Sequence, residues 1–195
     1  MDLSIEQLIT LQQLTDSMFP SGSFVHSEGL ETYVQSGIIA SPEELEALLR
    51  IRLLQGLALS DWVATQAAMD FYVQEDLASL LQLDEKLSAM KIAMESREAS
   101  MRSGRQTLRT VLAFLKGAFL HDYQRAVKNQ SAQGHQALVF GVICAAMQIE
   151  KRPALAAYGY SFVSGQVSAA IKLMRMGQTQ AQQLLWYLQP TIDEA

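Results

Sequence analysis

Apolar positions recur along almost the whole chain at intervals of three and four residues, and almost nowhere at intervals of two. That is the spacing of helices that turn one face inward. Sustained period-two alternation and β-branched clusters, the marks of strands, are missing. The pattern predicts an all-α fold: a single-domain helical bundle, residues 1–195, of about eight to ten helices around a buried central apolar helix.

Individual elements follow from local signals. Leu3, Leu8, Ile9, Leu11 and Leu14 sketch an opening helix that must end before Pro20. "SPEELEALLRIRLLQGLAL" has a full start signal, with Ser41 as cap, Pro42 at the first helical position and Glu44 completing a capping box. Ser60 and Asp61 are placed to start the next helix, on which Trp62, Thr65, Met69 and Tyr72 share a face. The stretch from about 84 to 120 reads as the longest helix, with Met94, Met101, Leu108, Leu112, Leu115 and Phe119 at helical spacing. "GHQALVFGVICAAMQI" is apolar nearly all round, as expected of a helix surrounded by others. Gly141 and Ala145, and Gly165 and Ala169, stand one turn apart and allow close backbone approach. Gly104, in mid-helix, points the same way. A last helix, "QTQAQQLLWYLQ", is expected to end at Pro190.

Composition narrows the class. The chain has 195 residues, a formal net charge of −5 and one cysteine. Mild acidity gives no reason to expect nucleic-acid binding. Cys144, alone in an apolar run, reads as a buried, inert thiol, which fits a reducing compartment. The acidic N-terminus lacks the pattern of a signal peptide, and no apolar run reaches the roughly 20 residues of a membrane span. A cytoplasmic protein is the expectation. Charge is also unevenly spread: residues 1–83 carry twelve acids against two bases, and residues 84–128 nine bases against five acids. The two signs read either as solvated helix faces or as surfaces that meet different partners.

Catalytic signatures are absent. There is no G-x-x-x-x-G-K-[ST] phosphate loop and no G-x-S-x-G elbow, and His26, His121 and His135 form no HExxH or His/Cys cluster. The residues offer no self-sufficient active site.

One segment stands apart from the helical pattern. "LTDSMFPSGSFVHSEGLE", with Asp16, Ser17, Pro20, Gly22, Phe24, His26, Ser27, Gly29, Leu30 and Glu31, closely resembles the N-terminal signature of the UreF family of urease accessory proteins. Three later segments resemble that family in the same order: "SREASMRSGRQTL", "GHQALVFG" and "SAAIKLMRMGQTQAQQLL". The resemblance spans essentially the whole chain. Two departures lie in the last segment. Lys172 stands where the family more often has Arg and so loses a bidentate fork; Arg175 replaces a Pro and should let the helix run further. The sequence ends with "QPTIDEA" at Ala195, where the resemblance leads one to expect a longer tail.

The resemblance implies a non-catalytic, self-pairing helical protein. Such proteins join a UreD/UreH-type accessory protein and a UreG-type GTPase in delivering nickel to apo-urease, with no stably bound cofactor. Partner contacts are then expected at His26, Glu28, Glu31, Arg97, Arg105, Tyr158, Tyr160, Lys172, Gln178 and Gln182, with His26 and Glu31 candidates for transient nickel contact. Read physically, Pro20 and Gly22 set a turn, Leu30, Tyr33 and Val34 face the core, and Glu28, Glu31 and Thr32 face solvent. Glu98 and Arg102 are spaced as an i,i+4 pair, and Arg105 and Arg109 lie one turn apart; together they read either as a solvated face or as a basic stripe that meets acids of a second copy or of another accessory protein. Two other readings compete: a small all-α metal-dependent enzyme centred on His26, Glu28 and Glu31, and a helical adaptor unrelated to urease.

Overall fold

A computed structural model describes residues 3–21 and 29–195. Among these residues there are ten α-helices and no strand: α1 (Ile5–Thr15), α2 (Leu30–Gln35), α3 (Pro42–Ile51), α4 (Val63–Val73), α5 (Leu77–Met90), α6 (Met94–Val111), α7 (Ala118–Lys128), α8 (Gln136–Ala146), α9 (Lys151–Leu173) and α10 (Gln178–Glu194). The all-α expectation holds. Ser41 and Glu44 close the expected capping box at the start of α3, with Pro42 in its first turn.

The expected restart at Ser60 and Asp61 does not occur. Arg52–Trp62 is π-helical and joins α3 to α4 without a break. The Ser60 hydroxyl donates back to the carbonyl of Gly56 instead of capping a new helix. Asp61 is buried in an ion pair with Lys91. A π-helical stretch this long is uncommon, and such segments concentrate beside functional sites.

Two apolar clusters form the core. The first gathers α1 and α4 to α8; the second gathers α2, α3, the π-helical stretch and α10. The long helix α9 serves both, through Ala154 on one side and Val163, Val167 and Ala170 on the other, and Tyr158 packs against both. The expected central helix is α8, buried at every position from Ala137 to Ala145. A Cβ on Gly141 would lie 2.5 Å from the Thr65 carbonyl oxygen, so α4 and α8 touch backbone to backbone. Cys144 lies within this helix, and burial pushes its thiol well above the ordinary range.

Several boundaries differ from the sequence reading. The stretch 84–120 is three helices, and the longest helix is α9, with 23 residues. The chain breaks at Lys91, whose carbonyl accepts from Arg97 while its ammonium turns to Asp61. Of the six apolar residues expected to line this stretch, only Leu108 is fully buried. The inward face of α6 is instead Ser103, Gly104, Thr107, Leu108 and Val111. Helix α9 stops at Leu173, because Arg175 takes a left-handed conformation (φ 54°) and does not prolong it. Helix α10 runs through Pro190 to Glu194. Burial of Thr191 and Ile192, and a bond from Arg50 to the Thr191 hydroxyl, offset the interior proline, which costs about 3 kcal/mol. In α2, Leu30 is buried as expected, but Tyr33 is exposed, its ring 5.8 Å from the Arg52 guanidinium carbon.

Candidate functional site

The segments around 97–108 and 134–141, two of the four that carry the resemblance, fold onto each other. Gly104 brings α6 against the turn that precedes α8. There the fully buried Asp84, on α5, accepts from the backbone N–H groups of Gln133 (2.5 Å), Gly134 (2.7 Å) and His135 (3.1 Å). One carboxylate thus satisfies the donors ahead of α8 and sits at the favourable end of its dipole. The His135 ring is held by two hydroxyls, Ser100 at Nδ1 (3.1 Å) and Ser88 at Nε2 (2.7 Å). The Gln136 side-chain oxygen accepts from Thr107 and Ser103. Arg105 donates to the Gln133 carbonyl at 2.7 Å. The polar residues of both motifs therefore brace α5, α6 and α8.

Burial is the main influence on His135 and lowers its pKa to about 4; Lys91 and Arg105 push the same way, while Asp84 and Asp61 oppose them. The unfolded chain binds this proton near pH 6.5, the folded chain only near 4, so stability is full above 6.5 and declines as pH falls between them. Urea midpoints should show a loss of about 2 kcal/mol between pH 7 and pH 5, and His135→Gln should remove that part of the slope. An unchanged slope in the variant would refute this assignment.

A second polar cluster lies where the two cores meet. A cavity of about 350 Å³ is bounded by α1, the π-helical stretch, α6, α8 and α9, with Phe140 and Phe162 among its apolar walls. Lys91 Nζ pairs with Asp61 at 2.8 Å, and the Tyr158 hydroxyl donates to the other Asp61 oxygen at 3.3 Å. Tyr158 also stacks edge-on against Phe140. Such an ion pair is costly to break from one side but weak evidence for net stability.

The residues expected at partner contacts are placed as follows. Arg97 and Arg105 are tied to the carbonyls of Lys91 and Gln133, and Tyr158 belongs to the inner cavity, so all three have structural work. Glu31 is exposed on α2, and Tyr160 is 42% exposed on α9. Lys172, in the last turn of α9, and Gln178 and Gln182, at the start of α10, are exposed at one helical corner. His26 and Glu28 lie outside the described residues. Among the described residues, no group of three His, Cys, Asp or Glu side chains is placed to hold a metal ion. Nor do Glu98 and Arg102 make the expected pair among them; both face a groove between α6 and α7. No helix of the described residues is long and apolar enough to cross a membrane.

The sequence reading missed Asp61, Lys91 and Asp84. Asp84 did leave a signal: with Leu80 and Leu87 it falls on the buried stripe of α5, where an acid demands partners. Nothing in the local sequence joins Asp61 to Lys91, thirty residues away.

Fold and site together define an all-helical protein in which polar residues of the segments around 97–108 and 134–141 hold helices in place. The UreF family profile matches residues 39–189. The chain is 35% identical over 189 residues to the urease accessory protein UreF of Actinobacillus pleuropneumoniae serotype 3 (strain JL03), covering 97% of this chain and 83% of that protein. It is 32% identical over 190 residues to the protein of the same name from Bacillus sp. (strain TB-90), covering 97% and 84%. With the one from Haemophilus influenzae (strain PittGG) it shares 33% over 192 residues, covering 98% and 82%. The chain belongs to the UreF family of urease accessory proteins.

Proposed function

We propose that this protein is a non-catalytic scaffold of urease maturation. It pairs with itself and joins a UreD/UreH-type protein and a UreG-type GTPase in a cytoplasmic assembly that passes nickel to apo-urease and modulates the GTPase. Nickel is cargo of the assembly and not a resident cofactor of this chain. The observation that carries the reading is family similarity over nearly the whole chain. It is supported by a division of labour, where Asp84, His135 and Gln136 are spent on internal bonds while Tyr160, Lys172, Gln178 and Gln182 are exposed. Exposed aromatic and charged side chains on rigid helices are suitable interface anchors.

The test is co-purification with UreD- and UreG-type proteins of the same organism. A joint complex is expected by size-exclusion chromatography. Lys172→Glu should weaken it about tenfold, close to 1.4 kcal/mol, with helix content unchanged. Arg105→Glu is a poorer probe, since Arg105 holds the Gln133 carbonyl. Failure to bind either protein, singly or together, would sink the reading.

A further inference from the structure

Helices α6 and α7, with Pro20 and Ser21 at one side, line an open groove of about 1030 Å³ that carries Arg102, Arg105, Arg109 and Lys128 against one acid, Glu98. We infer that this groove receives an acidic helical segment of another protein, one with carboxylates spaced a turn apart. The inference concerns the chemistry of the groove alone and goes beyond the urease reading, since it stands or falls whether or not the maturation complex forms.

Three observations carry it. The first is charge: four cations gather at one groove of a chain whose net charge is −5, so the local sign opposes the global one. The local surplus favours an acidic partner and speeds its encounter. The second is spacing. Arg102, Arg105 and Arg109 follow one another along α6 with about 4.5 Å and about 6 Å of helix rise, which matches carboxylates at i, i+3 or i+4, and i+7 of a helix laid alongside. The third is availability. Among the described residues, Arg109 is held only by Gln106 within its own helix, and Arg102 and Lys128 make no ion pair or hydrogen bond. The groove floor adds apolar contact through the half-buried Met101 and Val127.

Other occupants fit less well. Nucleic acid prefers longer basic tracks with aromatic stacking platforms, and no aromatic side chain lines this groove among the described residues. A two-fold pair of copies meeting groove to groove would set cations against cations, because the same patch faces itself across the axis.

The experiment uses the full chain and a capped alanine-based peptide of about 15 residues with glutamates one turn apart. Its twin carries glutamines in their place. Calorimetric titration should detect the glutamate peptide and not the glutamine twin, with affinity falling at least tenfold from about 50 to about 300 mM salt. Arg102→Glu and Lys128→Glu should each weaken binding about tenfold with unchanged circular dichroism. Lys86→Glu, the same charge change on the exposed face of α5, should leave it unaltered. Equal binding of both peptides, or binding indifferent to both groove variants, would overturn the inference. So would loss of self-association in those variants, which would make the occupant a second copy, or tighter binding of a single-stranded oligonucleotide than of the glutamate peptide.

Discussion

Asp84→Ala should destabilise the protein by about 4 kcal/mol, measured as a shift in the urea midpoint. The carboxylate is fully buried and accepts three backbone N–H groups from the turn that opens α8. Each buried donor left without an acceptor costs about 1–3 kcal/mol, and partial relaxation of the turn recovers some of the sum. The effect should extend beyond α5, because the same turn carries His135 and Gln136, which bond three side chains of α6. Hydrogen exchange at the start of α8 should therefore quicken more than at α10. Asp84→Asn keeps the shape but not the charge, and should lose about half as much. A loss below about 1 kcal/mol in the alanine variant would mean that the turn finds other acceptors and that Asp84 is not its keystone.

Gly104→Ala is expected to cost about 3 kcal/mol or more, opposite in sign to the usual gain. Glycine within a helix is normally worse than alanine by about 1 kcal/mol, so an open site should gain from the change. Here a Cβ would fall 2.1 Å from the Gly134 carbonyl oxygen and 2.7 Å from both the Gln136 nitrogen and the His135 carbonyl carbon. These are backbone atoms of the turn whose N–H groups bond Asp84, and they cannot swing aside as a side-chain end would, so α6 and α8 must separate. Gly56→Ala supplies the contrast: nothing lies within 4 Å of a Cβ there, and a neutral or slightly stabilising result is expected. Thermal melts of the two variants side by side test the difference. Equal behaviour would show that α6 and α8 are not in the close contact described.

The fold was legible where local chemistry and packing agree. Helical spacing pointed to the all-α class, the Ser41–Glu44 box and Pro42 marked the start of α3, and the unbroken apolar run marked α8 as the buried helix. Gly104 and Gly141 were readable as points of close approach because a mid-helix glycine needs a reason. Boundaries were lost where a long-range contact overrides the local signal. Ser60 and Asp61 look like a cap, yet the Lys91 ammonium and the Tyr158 hydroxyl draw Asp61 inward and the helix continues in π form. Pro190 looks like a stop, yet Thr191 and Ile192 are buried beyond it. Arg175 seemed to lift a stop, and became one through a positive φ.

For the candidate site, the motifs were visible but their roles were mixed in a way that spacing does not reveal. Arg97, Arg105 and Tyr158 have the look of interface residues and are used to hold a carbonyl, a turn and a carboxylate. Lys172, Gln178 and Gln182 kept to the surface. The basic stripe was readable from Arg105 and Arg109, but its completion by Lys128 from α7 required the tertiary fold.

A role in urease maturation makes urease activity the decisive readout, in cells that carry a cognate urease operon without this gene, with nickel supplied. Activity that depends on returning the gene on a plasmid is the predicted result. Equal activity with and without it, while the protein is soluble and expressed, would show that it has no part in urease maturation.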